Sequence, residues 1–402
     1  MKVMIVSATD LPIPAYKGGA TETLITELLN KINPNDNLFI HVYSNCAKKE
    51  EYFEGNNFIK YKYVPKTLFD KFYTFLFRVL RIFFLKRINI PSAFASRLCR
   101  KVDLSSYDVV ILEGDKGQVN IFRRHFKGKI VLHVHTVMTF TKNTPFAKKI
   151  LSNCDYVLAN SHYTKKVISQ IDGSQSNKII VFQNCINTDF FKLPENNLKR
   201  EEIRNLYNIS SDDLVYIYCG RLEPGKGIRE LIMAFKKCHN KSKLLVVGAG
   251  WFSCNKKTPY INDLITLTED IQDKIIFTGY IEHSEITSYY YAADVCIVPS
   301  IYEEAAGLVV LEAQACGVPI IASRIGGIPE FAFEKSSVLI EPSKDFVDRL
   351  SEKMQSDLSK NVIALYSEEF LEFIKSKNMD SYYMNFLDIM NYIKDEKYDK
   401  RQ

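Results

Sequence analysis

The stretch LVYIYCGRLEPGKGI, residues 214–228, runs from an apolar segment through a glycine-rich turn into a helical pattern that starts at about Ile228. A strand apolar on both faces, ended by glycine and followed by a helix, is the building unit of a buried parallel sheet. The turn also has chemical potential. Gly220, Gly225 and Gly227 let backbone N–H groups approach an anion, and the N-terminus of the helix behind them favours negative charge. Arg221 offers a fork of donors and Lys226 a point charge, and across a tight turn both can reach one diphosphate. The same spacing also fits a turn whose two cations are simply solvated, since short glycine motifs are common.

Comparable Val- and Ile-rich runs recur outward from this stretch. Before it they are Lys2–Thr9, Leu38–Asn45, Asp108–Gly114, Lys129–Thr136, Asp155–Ser161 and Lys178–Asn184. From it onward they are Leu214–Arg221, Lys243–Gly250, Lys274–Tyr280, Asp294–Ser300, Val318–Ser323 and Ser337–Pro342. Helical patterns separate them, which predicts α/β architecture with helices on both faces of parallel sheets. A chain of 402 residues exceeds what one core supports, roughly 250–300 residues, so two domains are expected. The polar stretch Lys192–Asp213 reads as the segment between them. The predicted division is 1–195, 196–378 and a terminal piece 379–402, with a helix over Ser381–Tyr392 and a frayed charged tail from Lys394. In doubly wound sheets ligands sit at the carboxyl ends of the strands.

A second motif follows the run Asp294–Ser300. It reads PSIYEEAAGLVVLEA, residues 299–313, and Gly307 can open a helix there. Backbone N–H groups of Gly307, Leu308 and Val309 would point at a phosphate or ribose oxygen. Glu312, one to two turns into the helix, can accept from both hydroxyls of a ribose diol, and Glu304 on the loop can do the same for a sugar. The competing reading is a surface acid and a solvent-facing helical acid. Against it, Glu312 sits in the apolar context LVVLEAQAC, where an unpartnered carboxylate is costly.

The spacing E-A-A-G-L-V-V-L-E resembles the E-x7-E signature of the retaining glycosyltransferase family 4, which has the GT-B fold. The resemblance covers most of the chain: GRLEPGKG, the strand end VVGAG, IIFTGYI, SYYYAADVCIVPS, GVPIIASRIGGIPE and, in the first half, KGGATETLI, KIVLHVHT and NCINTDFF. LPIPAYKGGA is also similar to bacterial polysaccharide and spore-coat enzymes of that family. The resemblance implies two facing Rossmann-like doubly wound domains, the first on the acceptor side and the second binding a nucleotide sugar, with the C-terminal helix packing back on the first. It implies that Arg221 and Lys226 hold the donor diphosphate and stabilise it as it leaves. Glu312 would hold the ribose, Glu304 the donor sugar, and the Gly307, Leu308 and Val309 backbone the phosphate or ribose. Gly18 and Gly19 would lie close to the diphosphate, His135 near the sugar, and Gly279, Tyr280 and Ile281 around the base. The catalytic set so implied is His135, Glu304, Arg221 and Lys226. The chain has Glu304-Ala305-Ala306-Gly307 where the family often has Glu-Gly-Phe-Gly, which opens donor preference, and Cys185 replaces a turn glycine.

The implied activity is transfer of a hexose-type sugar, from a UDP-sugar or alternatively GDP-mannose, to a glycan or lipid-linked acceptor in capsular or surface polysaccharide synthesis, with retention of configuration. The family picture is front-face attack, with the departing phosphate taking the acceptor proton. No cofactor and no metal are expected. No D-x-D motif appears, and His133 and His135, two apart on one strand face, have no third ligand at obvious spacing. A non-catalytic GT-B accessory subunit and a nucleotide-sugar epimerase are the rival readings. A dehydrogenase is disfavoured because Gly18 and Gly19 come too late after the first strand for G-x-G-x-x-G.

Composition sets the remaining limits. The chain is 46% hydrophobic and 25% charged, which supports two cores. A net charge of +6 is too mild to argue nucleic-acid binding. Nine cysteines without a C-x-x-C pair indicate reduced thiols, and the N-terminus lacks the form of a signal peptide, so a cytoplasmic protein is expected. The stretch FYTFLFRVLRIFFL, residues 72–85, is too short to span a bilayer as a helix, which takes ~20 apolar residues. The wider segment Lys66–Arg87 mixes basic and aromatic residues, which suits peripheral contact with an anionic inner membrane face or, equally, a core helix with snorkelling arginines.

Overall fold

A computed structural model of the chain describes residues 1–8, 11–16, 19–44, 53–64, 67–68, 72, 75–76, 92–137, 144–250 and 258–399. They form two compact units, Met1–Gln183 with Tyr382–Gln402, and Asn184–Ser381. The first holds strands β1 (Lys2–Val6), β2 (Phe39–Ser44), β3 (Ile59–Tyr63), β4 (Val109–Glu113), β5 (Lys129–Val134), β6 (Tyr156–Ala159) and β7 (Ile179–Val181). They pair in parallel in the order β3-β2-β1-β4-β5-β6-β7. The second holds β8 (Leu214–Cys219), β9 (Ser242–Val247), β10 (Ile275–Gly279), β11 (Val295–Val298), β12 (Ile320–Ser323) and β13 (Ser337–Ile340), parallel in the order β10-β9-β8-β11-β12-β13. Both sheets are the expected doubly wound α/β kind.

Every predicted run contains a strand, and the strands are shorter than the runs. β5 stops at Val134, β8 at Cys219 and β11 at Val298, so His135, Arg221 and Ser300 fall on the loops at the carboxyl ends. β3 was not predicted. Its sequence IKYKY buries Ile59 and exposes Lys60 and Lys62, because it is the sheet edge, where lysines blunt pairing with other chains.

Two expectations need correction. The polar stretch Lys192–Asp213 is not simply a connecting segment: it contains the helix Leu198–Leu206 inside the second unit. Arg204 on that helix is buried; its Nε donates to the Ala292 carbonyl at 3.0 Å and its Nη2 pairs with Asp294 at 2.8 Å. The terminal helix runs over Met379–Asp399, so the charged residues from Lys394 to Asp399 are helical. From Tyr382 onward it belongs to the first unit. There the Tyr382 ring stacks on Phe182 with centroids 4.0 Å apart, and the Tyr383 hydroxyl donates to Asp36 at 2.8 Å.

Among the described residues no helix is long and apolar enough to cross a membrane. The segment Lys66–Arg87 lies mostly outside the described residues. Of its described apolar residues, Leu68, Phe72, Phe75 and Leu76 are exposed.

Candidate active site

In the second unit two loops at the carboxyl ends of β8 and β11 are fitted to each other. The first leaves β8 through Gly220 and ends at Gly227, which caps the helix Ile228–Phe235 in a left-handed conformation with φ 70°. A side-chain carbon at Gly227 would stand 1.8 Å from the Pro299 carbonyl oxygen, so this approach requires glycine. The second loop, Pro299–Gly307, returns the contact: the Ile301 N–H donates to the Gly225 carbonyl at 3.1 Å. On its far side the Gly327 N–H donates to the Glu304 carbonyl at 2.7 Å.

This fit brings Lys226 and Glu304 together. The Lys226 ammonium donates to Glu304 Oε1 at 2.6 Å, and the Ser300 hydroxyl donates to the same oxygen at 2.7 Å. Arg221 pairs with Glu223 at 2.9 Å, and both remain partly exposed. Two cations and a carboxylate-bearing loop thus stand at two neighbouring strand ends, where a diphosphate would compete with the carboxylates for the cations.

Beside Arg221 opens a cavity of about 220 Å³ lined by Gly220, Tyr280, Ile281, Tyr290, Val309 and Glu312 among others. Glu312 lies in the helix Leu308–Ala315, which Gly307 caps. The Tyr290 hydroxyl donates to Glu312 Oε2 at 2.9 Å. Burial pushes the Glu312 carboxyl up to about 7, against the pull of that hydrogen bond. The folded protein therefore holds a proton on Glu312 that the unfolded chain releases near 4.5. The linked stability is present below 4.5 and lost as pH rises through about 7. We expect the stability of the parent protein relative to Glu312→Gln to fall by about 1–3 kcal/mol between pH 4.5 and 7.5, measured by denaturant titration. A flat difference would contradict a buried, proton-holding Glu312.

The predicted residues therefore divide. Arg221, Lys226, Tyr280, Ile281, Glu304, Gly307, Leu308, Val309 and Glu312 all lie in the second unit. Gly279, with φ 74°, closes β10 and its carbonyl accepts from Gly248 N–H at 3.0 Å. Gly19 and His135 lie in the first unit, and Gly18 lies outside the described residues. Gly19 caps the helix Ala20–Lys31 with φ 106°. His135 follows β5, and its Nε2 lies 2.9 Å from Glu113 Oε2. His133 Nδ1 lies 2.9 Å from the same oxygen.

Glu113 corrects the expectation that the histidine pair lacks a third potential metal ligand: donor atoms of Glu113, His133 and His135 lie within 4.8 Å of one another. Burial alone would raise the Glu113 carboxyl, but the two imidazoles hold it down to about 2. Glu113, Ser300 and Tyr290 were all missed from sequence. A signal for Glu113 was available, since it is the one charged residue in the buried strand VVILE.

A family model described as "Glycosyltransferase Family 4" matches residues 39–190, and one described as "Glycosyl transferases group 1" matches residues 199–369. The lipopolysaccharide 1,2-N-acetylglucosaminetransferase of Salmonella typhimurium is 26% identical over 351 residues, 83% of either chain. Among solved structures, Anabaena HepE in complex with UDP aligns with TM-score 0.74 at 16% identity over 98% of this chain and 100% of its own. Sucrose-phosphate synthase from Thermosynechococcus elongatus aligns with TM-score 0.71 at 18% identity over 98% of this chain and 99% of its own. At such identities the likeness shows the fold, which is GT-B.

Proposed function

Because this chain belongs to glycosyltransferase family 4, we propose that it transfers a hexose-type sugar from a UDP-sugar to a glycan or lipid-linked acceptor, with retention of configuration. The observation that carries this reading is the Lys226–Glu304 contact at 2.6 Å, next to Arg221 and the Glu312 cavity. In this proposal the diphosphate takes Arg221 and Lys226, releasing Glu304 to the sugar hydroxyls, while Glu312 and Tyr290 hold the ribose. The base lies along Tyr280 and Ile281. UDP is favoured because HepE was solved with UDP.

The leaving diphosphate gains its stabilisation from the two cations and the N–H groups at Gly307, Leu308 and Val309, which makes a metal unnecessary. The acceptor attacks from the face the diphosphate leaves, and the phosphate takes its proton. A double displacement would need a nucleophilic carboxylate about 5 Å from an acid partner. The second unit offers Glu304 already engaged by Lys226 and Ser300, which suits binding better than attack.

A thermal-shift series with UDP, GDP and their sugars tests the proposal. At a hundredfold excess over Kd a ligand adds about 2.7 kcal/mol, which moves the transition by roughly 5 °C for a domain of this size. UDP is expected to give that shift and GDP little. A shift with GDP alone would replace the donor by GDP-mannose, and no shift with either would favour a non-catalytic accessory protein.

A further inference from the structure

We propose that Ser300 is a positioning residue for the donor sugar: it keeps hold of one oxygen of Glu304 while Lys226 changes partner, and so keeps the other oxygen turned to the sugar hydroxyls. The proposal rests on the reading above that the diphosphate takes Lys226 and the sugar takes Glu304.

Two short segments meet here with matching geometry. Gly225-Lys226-Gly227 and Pro299-Ser300-Ile301 touch each other at both ends. The Ile301 N–H donates to the Gly225 carbonyl at 3.1 Å, and the Pro299 carbonyl oxygen lies 1.8 Å from where a side-chain carbon on Gly227 would stand. The middle residue of each segment sends its side chain to the same atom, Glu304 Oε1. The Lys226 ammonium donates to it at 2.6 Å and the Ser300 hydroxyl at 2.7 Å. The Glu304 side chain is 19% exposed, and its other oxygen, Oε2, accepts no hydrogen bond from the described residues. Oε2 is not closed off from solvent.

The two holders of Oε1 differ in kind. The Lys226 side chain is 28% exposed and reaches its partner through a flexible four-carbon stem, so an arriving phosphate can draw it off. Ser300 is 1% exposed. Its hydroxyl sits directly on Cβ, and the backbone contacts of both neighbouring residues fix that carbon in place. Ser300 therefore has no reach to a ligand and acts through Glu304. Lys226 is the exchangeable holder and Ser300 the permanent one.

This divides the work of the two carboxylate oxygens. The last torsion of a glutamate side chain is broad, so a carboxylate held by no donor turns among many orientations. Once the diphosphate has drawn Lys226 off, Ser300 alone keeps Oε1 engaged and Oε2 presented. A hydrogen bond from a hydroxyl to a carboxylate is among the strong ones, which suits it to that task. A sugar hydroxyl then donates to Oε2 without the cost of ordering the carboxylate at the moment of binding.

Calorimetric titration with UDP, UDP-glucose and UDP-N-acetylglucosamine separates this role from a merely structural one. The quantity read is the affinity of the tighter sugar nucleotide relative to UDP. In Ser300→Ala, Kd for UDP is expected to stay within about threefold of the parent's, while the ratio falls about tenfold. Glu304→Ala is expected to lower the ratio as well, and adding Ser300→Ala to it should lower it no further. An unchanged ratio in Ser300→Ala, where Glu304→Ala lowers it, overturns the positioning role. Equal weakening of UDP and the sugar nucleotide in Ser300→Ala also overturns it, because that assigns Ser300 to the shape of the loop that holds Lys226. Should Ser300→Ala fail its circular-dichroism melt, Ser300→Cys, close in size and a weak donor, decides by the same ratio. A ratio unaltered by Glu304→Ala is a different failure: it defeats the placement of the sugar at Glu304, and the role of Ser300 falls with that reading.

Discussion

Alanine at Lys226 or at Arg221 is expected to cut kcat/KM by about 10²–10³ and leave the melting transition within a few degrees of the parent. Ground state and transition state differ in their demand for positive charge. As the glycosidic bond breaks, negative charge grows on the diphosphate, and a preplaced cation is worth more there than against the intact donor. Lys226 is held on target by Glu304 at 2.6 Å, so it enters the reaction without a search for its position. Arg221 is held by Glu223 at 2.9 Å, and its partly exposed pair gives way readily to a diphosphate. Neither side chain is part of a hydrophobic core, so the fold survives their loss. The double variant is expected to lose less than the product of the single losses, because both cations act on one leaving group. Steady-state assays of nucleotide release check this. Rates near the parent's in both single variants would remove these residues from the chemistry.

The second large effect is structural. Gly227→Ala is expected to cost about 3 kcal/mol or more in stability and to abolish the UDP thermal shift. An alanine would occupy the left-handed region at φ 70°, and its methyl would meet the Pro299 carbonyl at 1.8 Å. Backbone stands on both sides of that clash, so relief requires the two loops to part. Gly173→Ala is the matched control. A methyl there meets nothing within 4 Å and should change stability by no more than about 0.5 kcal/mol. Equal behaviour of the two variants, in denaturant titration and in UDP response, would refute the close approach.

How far the sequence revealed these features depended on the kind of force holding them. Runs such as VVILE and LVYIYC were legible because burial on both faces leaves an unbroken apolar signature. IKYKY escaped because an edge strand hides its one buried residue among lysines and half-buried tyrosines. The helix Leu198–Leu206 escaped for a different reason. It is anchored by Arg204 to backbone carbonyls and to Asp294, a polar mooring that hydrophobic periodicity does not register. Within the site, Arg221, Lys226, Glu304 and Glu312 stood out by spacing and by resemblance. Their partners Ser300 and Tyr290 did not, since a serine at a strand end and a tyrosine in a helix are ordinary until the fold sets them 2.7 Å and 2.9 Å from a carboxylate. Glu113 needed the register between two strands, which a linear reading does not supply.

The mutual fit of the two loops bears on how such a site can be altered. Gly225 accepts from Ile301, Gly227 admits Pro299, and Gly326 admits the Glu304 carbonyl. Each segment is shaped by the backbone of another that lies tens of residues away in the chain. For anyone redesigning donor choice, this makes 220–227, 299–307 and 326–327 one inseparable graft. Exchanging a single loop with that of another protein would import a shape whose mould was left behind, whereas side chains such as Tyr280 and Ile281 on the cavity wall can be varied singly without disturbing it.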